Sequence, residues 1–385
     1  MRLSVPSRAL ALVAFAAFVF ALNAYATPSN AAAQPQKVCG PAGVMMARCH
    51  ALLSMNGAGT FASSGPTGLS PATIKSVYNF PTSLTAGAGK TIAIVDAYDD
   101  PTAESDLAVF SSQYGLPPCT TKNGCFAKVN QTGGTSYPRK NAGWALEISL
   151  DVQWAHAIAP GASILLVEAT TNSFADLLAA EDYAKGHAQY VSNSWGASEF
   201  AGENSYDLHF SQSGVSFFVS SGDAGLPAEY PSSSPNVISV GGTTLHFSGS
   251  TFTGETGWSS GGGGCSAFET ATAVQAAFGQ YGQANCGGQR ATPDVSLDAD
   301  PASGVSVYDS TRYQGQAGWF KVGGTSASSP MWAARSAVSG TTVDSAYVYG
   351  NSIAYRDITF GNNGAACLVG YDLCTGRGSW TGTTP

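Results

Sequence analysis

Residues 163–192 read SILLVEATTNSFADLLAAEDYAKGHAQYVS, two short apolar runs separated by a longer segment of mixed polarity. The apolar runs predict strands at 163–167 and 190–192, and the segment between them predicts a helix at Phe174–Lys185. Parallel neighbouring strands need a crossover connection of this kind, usually a helix. This stretch therefore indicates the strand–helix–strand unit of an α/β fold.

The same alternation continues on both sides of this unit. A strand at 91–95 precedes a helix at Ala103–Tyr114, and two more strands are predicted at 215–219 and 237–240. Short strands that are apolar throughout are typical of a parallel sheet with both faces covered. We predict the α/β class, with a mostly parallel central sheet and helices on both faces, in one domain over residues 66–385. Such sheets place ligands at the carboxyl ends of their strands.

Composition excludes several classes of partner. Charged residues amount to 11% of the chain, against about 25% in an average protein. The formal net charge is -8, and the sequence has no basic run. Nucleic acids and anionic membranes bind clustered positive charge, so we expect no nucleic-acid partner. A hydrophobic fraction of 44% also excludes a disordered chain. We expect a monomer.

The N-terminus has the order of a secretory signal. Two arginines precede an apolar run at 9–22, and the small residues at 24–26 offer a cleavage site. The run is short for a membrane span, although an anchor or a core helix is the alternative. We predict a signal peptide over residues 1–26 and a secreted, extracellular protein that does not associate with membranes after signal removal. Residues 27–65 have no sustained periodicity, and we interpret them as a short leader or N-terminal extension.

Eight cysteines occur as pairs that are close in sequence. An oxidising compartment favours disulfides, although sequence alone leaves the connectivity open. Zinc is the alternative, but CxxC and HxxxH spacings do not accompany the cysteines. We expect four local disulfides that join Cys39 to Cys49, Cys119 to Cys125, Cys265 to Cys286, and Cys367 to Cys374.

A serine in the segment GGTSASSP at 323–330 is a candidate nucleophile. The two glycines that open the segment allow a close backbone approach, and the small residues after Ser326 suit the first turns of a buried helix. A serine at a helix N-terminus lies beside free amide N–H groups, which a nucleophilic hydroxyl needs. The alternative is an ordinary serine-rich helix cap.

Two carboxylates are candidates for acid–base chemistry. Glu147 and Asp151 are four residues apart, so a helix places them on one face, together with Trp144 and Trp154. Residues 141–184 contain no Lys or Arg to balance them. Like charges in an apolar setting raise the pKa of at least one carboxyl group, as an acid-range general base requires. A solvated acidic face is the alternative.

Two further carboxylates lie at the ends of predicted strands. Asp223 stands between glycines in SSGDAG, directly after the strand at 215–219, and Asp96 follows the strand at 91–95. Asp223 is either a turn former or a group that points into the active site.

None of the five histidines has a setting typical of a catalytic base. None lies between glycines, and His156 is about 140° around the helix from Asp151. We therefore expect that the base is not histidine, although a serine nucleophile at neutral pH normally uses one.

Taken together, these motifs resemble the sedolisin family, the serine-carboxyl peptidases with a subtilisin-like fold. The resemblance runs from about Gly68 to about Ser379. It rests on GLSPATIKSVYNFP at its start, Glu147 and Asp151 followed by AIAPGASI, SNSWG at 192–196, SSGDAG at 220–225, and GGTSASSP at 323–330.

The resemblance implies a role for each matching residue. Ser326 would be the nucleophile, Glu147 its general base and Asp151 the residue that orients and tunes Glu147. A protonated Asp223 would donate to the oxyanion, as an acid kept neutral by its site can. Asp96 and Trp195 match positions that extend the carboxyl network in some members. The resemblance implies activity on protein or peptide substrates at acid pH.

The resemblance also implies one structural Ca²⁺ ion near the C-terminus. Asp357 and Asp372 would supply carboxylates, and Ile358, Leu368 and Gly370 would supply backbone carbonyls. All are hard oxygen ligands that suit calcium. Leu368 stands where the family often has glycine, and an Asp-rich turn without metal is the alternative.

The leading hypothesis is therefore a secreted acid endopeptidase that acts through an acyl-enzyme. A tripeptidyl-type exopeptidase of the same family and a non-catalytic secreted binding protein on this fold are the alternatives. A neutral subtilase with Asp96, a histidine and Ser326, and an aspartic peptidase, are further hypotheses. Sedolisins usually have a long propeptide, whereas the extension at 27–65 is short.

Overall fold

The computed structural model describes residues 1–3, 34–54, 61–350 and 355–382. The chain divides into Met1–Ala32 and Ala33–Pro385, and every strand and helix of the described residues belongs to the second unit. The predicted signal peptide at 1–26 lies almost wholly outside the described residues, so it stays a prediction, as does the boundary between 27–65 and 66–385. Among the residues that are described, no helix has both the length and the apolar character needed to cross a membrane.

The described ranges contain many short strands and a few long ones. They are β1 Gln36–Lys37, β2 Arg48–Cys49, β3 Leu52–Leu53, β4 Ala62–Ser63, β5 Thr91–Ala97, β6 Phe126–Asn130, β7 Ser163–Ala169, β8 Tyr190–Asn193, β9 Trp195–Ser198, β10 Ser216–Ser220, β11 Glu229–Tyr230, β12 Ile238–Ser248, β13 Thr251–Gly257, β14 Gly264–Thr270, β15 Gln289–Thr292, β16 Val295–Asp298, β17 Val305–Tyr313, β18 Gln316–Gly323, β19 Tyr355–Arg356 and β20 Ser379–Trp380.

The α-helices of the same ranges are α1 Pro71–Tyr78, α2 Ala103–Tyr114, α3 Ala142–Ile158, α4 Phe174–Lys185, α5 Ala273–Ala277, α6 Thr325–Ser339 and α7 Ser345–Gly350. The bounds of α2 and α4 are the predicted ones. Ser173 caps α4, since its side chain accepts a hydrogen bond from the Asp176 N–H.

The central sheet confirms the predicted α/β class. Its strands run in the order β19-β20-β16-β12-β10-β8-β5-β7-β6, and every neighbouring pair from β20 to β6 is parallel. β5 and β7 are buried along nearly their whole length, as expected when both faces of a parallel sheet are covered. β5, β8 and β10 are neighbours, so the residues at their carboxyl ends lie side by side.

The helix α3 is buried on every side rather than along one stripe. Asn141 caps it by accepting hydrogen bonds from the N–H groups of Gly143 and Trp144. All residues from 143 to 158 are buried, because α3 packs against α2, α6 and strands of two sheets. Its carboxylates Glu147 and Asp151 therefore lie inside the protein, and the alternative of a solvated acidic face is wrong.

The N-terminal extension has more structure than its composition indicates. β1 pairs with β3, β2 pairs with β9, and β3 pairs with β18, in each case antiparallel. These pairings use backbone groups, so they leave no periodic pattern of side chains. Residues 34–54 thus pack against elements that lie far away in the sequence.

The four disulfides join the cysteines in the predicted pairs. Cys119, Cys125 and His156 lie close together in space, and cysteine and histidine are the usual ligands of zinc. Their sulfur atoms are bonded to each other, however, so they do not offer thiolates to a metal. The zinc alternative is excluded for this arrangement of the cysteines.

Candidate active site

Ser326 lies in the first turn of α6, where β18 ends and the chain turns into the helix. Gly324 has φ +96, and a side chain there would collide with the backbone of His50. Glycine is therefore required for the turn that presents Ser326. The Ser326 hydroxyl is buried and donates to the carbonyl oxygen of Ser194 at 3.4 Å.

Glu147 reaches this serine from α3. Its Oε2 accepts the backbone N–H of Ala51 at 2.9 Å, whereas Oε1 has no hydrogen-bond partner. Burial raises the pKa of Glu147 well above its usual value, and the charge of Asp151 raises it further. The nearby Ser326 hydroxyl and the Ala51 N–H lower this pKa, because both stabilise the ionised carboxylate.

Asp151 and Asp96 complete a cluster of buried carboxyl groups behind Glu147. Neither residue is accessible to solvent, and none of their four carboxyl oxygens has a hydrogen-bond partner. Burial raises both pKa values well above normal, and the charges of Asp151 and Glu147 raise that of Asp96 further. Burial and mutual repulsion thus favour the protonated form of all three carboxyl groups, and the hydrogen bond from the Ala51 N–H favours Glu147 as the member of the cluster that ionises.

Asp223 approaches Ser326 from the loop after β10. Its Oδ1 accepts hydrogen bonds from both the N–H and the hydroxyl of Thr325, while Oδ2 has no partner. A methyl group placed on Gly324 would lie 2.9 Å from that Oδ2. Burial raises the pKa of Asp223 to about 6, although the charge of His50 lowers it. Asp223 thus has a free oxygen that can hold a proton beside the serine.

Trp195 is fully buried and begins β9 next to the site. Its indole N–H donates to the backbone carbonyl of Val95 at 2.9 Å. It supports the backbone just before Asp96 and does not donate to a carboxylate.

The histidines do not take the position of a base for Ser326. His156 is buried on α3, its Nε2 lies 2.9 Å from the Pro117 carbonyl, and burial lowers its pKa to about 4. The structure thus disfavours the neutral subtilase with His156 as base. His50 does lie in the site, but its ring nitrogens contact Ser220 and Glu229.

The contacts of residues 48–53 with the site were not predicted from sequence. Ala51 and Glu147 are separated by 96 positions, and a backbone N–H gives no signal in the sequence. The burial of His50 likewise becomes visible only in the structure.

The segment predicted to hold calcium brings two carboxylates to one loop. Asp357 Oδ2 accepts the N–H of Gly370 at 2.9 Å, and Asp372 Oδ2 accepts the N–H of Leu368 at 2.7 Å. Ile358 is buried beside Asp357. Asp372 Oδ1 also accepts the N–H groups of Cys374 and Thr375. Carboxylate and carbonyl oxygens are the hard ligands that Ca²⁺ prefers, so the residue types of this segment are compatible with the ion. The Cys367 to Cys374 disulfide closes the same loop.

Comparison with known proteins agrees with this geometry. Residues 134–346 match the model of the subtilase family. Kumamolisin from Bacillus sp. (strain MN-32) is 30% identical, with 87% of this chain and 66% of that protein covered. Sedolisin from Pseudomonas sp. (strain 101) is 32% identical, with 43% of this chain and 33% of that protein covered. The chain thus spans 66% or less of the length of these relatives.

A solved structure of Pseudomonas sedolisin, described as a serine-carboxyl proteinase, superposes on this fold with a TM-score of 0.69 at 27% identity. The superposition covers 82% of this chain and 96% of that one. The fold is thus that of a subtilisin-like protein. This chain belongs to the sedolisin family of serine-carboxyl peptidases, within the subtilases.

Proposed function

We propose that this protein is a secreted serine-carboxyl endopeptidase that hydrolyses peptide bonds at acid pH. The observation that carries the proposal is the position of Ser326 between the ionisable Glu147 and the unpaired oxygen of Asp223. The nucleophile, the base and the oxyanion donor would then all lie next to the carbonyl group of a bound substrate, as acyl transfer requires.

In the proposed reaction Ser326 attacks the carbonyl carbon of the substrate. Glu147 takes the hydroxyl proton as the Oγ–C bond forms, and returns it to the leaving amine as the C–N bond breaks. Water then hydrolyses the acyl-enzyme by the reverse route, which frees a carboxyl group and restores Ser326. Asp151 would keep its proton and tune Glu147, since the charge of Asp151 raises the pKa of Glu147.

The developing oxyanion needs donors on the other side of the carbonyl. Asp223 Oδ2 would be one donor when it carries a proton, and the backbone N–H of Ser326 at the start of α6 would be the second. Because its pKa is about 6, Asp223 is protonated below that pH and ionised above it. Activity should therefore fall as the pH rises through about 6.

The cleft supports an endopeptidase over the tripeptidyl-type exopeptidase. Residues 48–53 pass through it from β2 to β3, so chain extends on both sides of Ser326. A site that binds only a free chain end would be closed on one side. A non-catalytic binding protein is the less favoured alternative, since Ser326, Glu147, Asp151 and Asp223 are all in place.

We also propose one structural calcium ion in the loop near the C-terminus. Asp357 and Asp372 would bind it through carboxylates, and Ile358, Leu368 and Gly370 through carbonyls. Bound there, the ion would neutralise the two carboxylates and hold the loop against the end of the domain.

The test is cleavage of a denatured protein substrate from about pH 2.5 to about pH 8 by the wild type and by Ser326→Ala. We expect cleavage at acid pH that the variant loses, with both proteins equally folded by circular dichroism. A neutral optimum would contradict the carboxylate base. Cleavage that survives Ser326→Ala would contradict the serine mechanism.

A further inference from the structure

Three side chains of metal-binding types converge at a place that the active site does not use. A ring nitrogen of His156 and the sulfur atoms of Cys119 and Cys125 lie within 4.8 Å of one another. With metal–ligand distances of about 2.0–2.3 Å, the ligand atoms of a tetrahedral zinc ion lie about 3.5–3.8 Å apart, so these three atoms are already close to that separation. His156 is nine residues beyond Glu147 on α3, which is about 13 Å along the helix axis. The group is therefore distinct from the catalytic residues.

The ring of His156 is arranged like that of a metal ligand. Its Nε2 lies 2.9 Å from the carbonyl oxygen of Pro117, and because a carbonyl oxygen only accepts, Nε2 carries the ring proton. Nδ1 then has the lone pair, and it is buried with no hydrogen-bond partner among the described residues. Zinc-binding histidines usually donate their other N–H to a carbonyl or a carboxylate in this way. A buried acceptor without a donor is costly, and a metal ion would satisfy it.

The loop between the two cysteines does not depend on the disulfide alone for its shape. Asn123 Oδ1 accepts the N–H groups of Thr120 and Cys125, each at 3.0 Å. Its Nδ2 donates to the carbonyl of Pro118 at 2.8 Å. The loop is longer than the spacing of about two to four residues that is usual between paired zinc ligands, but these bonds keep its two ends together. Reduction of the disulfide would therefore leave both sulfur atoms near His156.

The donor set selects the metal. Thiolate sulfur and imidazole nitrogen are ligands of zinc, whereas calcium and magnesium take oxygen ligands. The positive charge of Lys75 on α1 acts on His156, so a second net positive charge here would be costly. Two thiolates balance the charge of Zn²⁺, and a site with two cysteines and one histidine therefore adds no net charge beside this lysine.

We propose that the disulfide between Cys119 and Cys125 covers a latent zinc site, which binds Zn²⁺ through both sulfur atoms and His156 Nδ1 once the disulfide is reduced. Water would take the fourth position, since Cys125 is only half-buried. The ion would fasten the loop that precedes β6 to α3 while the cysteines are reduced. This inference does not depend on the proposed peptidase function.

The change of state needs a reductant, and a dithiol is sufficient. The dithiol breaks the S–S bond, passes two electrons and two protons to the sulfur atoms, and is itself left as a disulfide. Zn²⁺ then displaces one proton from each of the two thiols as it binds. Oxidation by a disulfide reverses both steps and releases the ion.

The first experiment measures zinc uptake at about pH 7, before and after reduction by a phosphine, which is oxidised to its oxide and does not compete for zinc through thiolates. We expect the reduced wild type to bind one more zinc ion per chain than the oxidised protein, as read from competition with a chelating dye. Equal uptake by the two forms would overturn the proposal.

His156→Gln is the matched variant, because the glutamine amide can still donate to the Pro117 carbonyl but offers no imidazole nitrogen. We expect its zinc affinity after reduction to fall by more than about 100-fold, since the loss of an outer contact alone costs about 10- to 100-fold. His246→Gln, at an exposed position on β12, should bind zinc like the wild type. Equal affinity in His156→Gln and the wild type would overturn the proposal.

Cysteine variants are needed because the other disulfides also become thiols on reduction. Cys119→Ser should lose the additional zinc ion, and Cys265→Ser should retain it. Co²⁺ in place of Zn²⁺ should give thiolate-to-metal absorption in the reduced wild type that Cys119→Ser weakens. Retention of the ion by Cys119→Ser, together with its loss from Cys265→Ser, would place it at another pair and overturn the proposal.

Thermal unfolding of the reduced protein provides a second measurement. Zn²⁺ should raise the Tm of the reduced wild type and change that of reduced His156→Gln little, because an ion that binds only the folded protein stabilises it. A reduced protein that unfolds and does not refold when zinc is added would also overturn the proposal. None of these measurements uses peptidase activity, so a failure of the proposed function and a failure of this inference are distinguishable.

Discussion

Asp223 and Thr325 form a pair in which one carboxyl oxygen is fully engaged and the other is left free. Oδ1 accepts the Thr325 N–H at 2.8 Å and its hydroxyl at 2.9 Å, while Oδ2 has no partner. The pair fixes the orientation of the carboxyl group, so that a proton on Oδ2 points away from Thr325. The role proposed for Asp223 depends on this asymmetry.

The first prediction concerns the alkaline limb of the activity profile. An asparagine at position 223 keeps an oxygen for Thr325 and always has an N–H to donate, so Asp223→Asn should lose the decline at about pH 6. Asp223→Ala should lower kcat by about 10²–10³ at every pH, because it removes the donor. The measurement is kcat against pH for the three proteins. The same decline in Asp223→Asn would show that another group causes it.

The second prediction concerns the base. Glu147→Gln keeps the shape of the side chain but cannot take the serine proton, so kcat should fall by about 10²–10⁴ with little change in KM. Steady-state kinetics on one peptide would check this, with Asp182→Asn as the control for an exposed carboxylate. If KM rises while kcat is unchanged, Glu147 contributes to substrate binding instead.

The third prediction concerns stability. Burial raises the pKa of Glu181 on α4 to about 8 and that of Asp309 to about 9. Each is protonated in the folded protein but ionised in the unfolded chain over the interval between the normal and the raised pKa. The folded state then binds more protons, so the free energy of unfolding falls as the pH rises from about 4.5 to about 8. These two groups therefore favour the folded state most in acid.

A glutamine at position 181 tests that direction. Glu181→Gln cannot ionise, so the decline should be shallower by up to about 1.4 kcal/mol per pH unit within this interval. Urea unfolding at a series of pH values measures it. Asp182→Asn, at the exposed neighbouring position, should keep the wild-type slope. A steeper slope in Glu181→Gln would contradict the assignment.

The fourth prediction concerns calcium. Removal of Ca²⁺ by a chelator should lower the Tm of the wild type, because an ion that binds only the folded protein stabilises it. Asp372→Asn should have a lower Tm that the chelator changes little. Differential scanning calorimetry with and without added Ca²⁺ gives both values. A chelator effect of equal size in the variant would place the ion elsewhere or exclude it.

Much of the fold could be predicted because its signals are local. The helices α2 and α4 have their own apolar positions and end signals, and the carboxylates of α3 lie four residues apart on one helix. The contacts of the extension could not be predicted in this way. His50 and Glu229 are 179 residues apart, and they meet because β2 and β11 both pair with β9.

The sequence predicted an apolar environment for Glu147 and Asp151, and the structure has it, but the burial of α3 is more extensive than predicted. An apolar stripe on α3 would leave one side of the helix in water, whereas the helix is buried throughout. The packing of α6 and β17 around it is non-local, and no periodicity within residues 142–158 indicates it.

Glu147, Asp151 and Asp96 have no surface in contact with solvent while residues 48–53 lie in the cleft. Because α3 is buried on every side, a change in the pH of the medium reaches these groups only when the packing around the cluster opens. Their response to a pH jump should follow the rate of that opening, which is a conformational rate, rather than the diffusion of protons. The packing around the cluster therefore determines how fast its charge state can change.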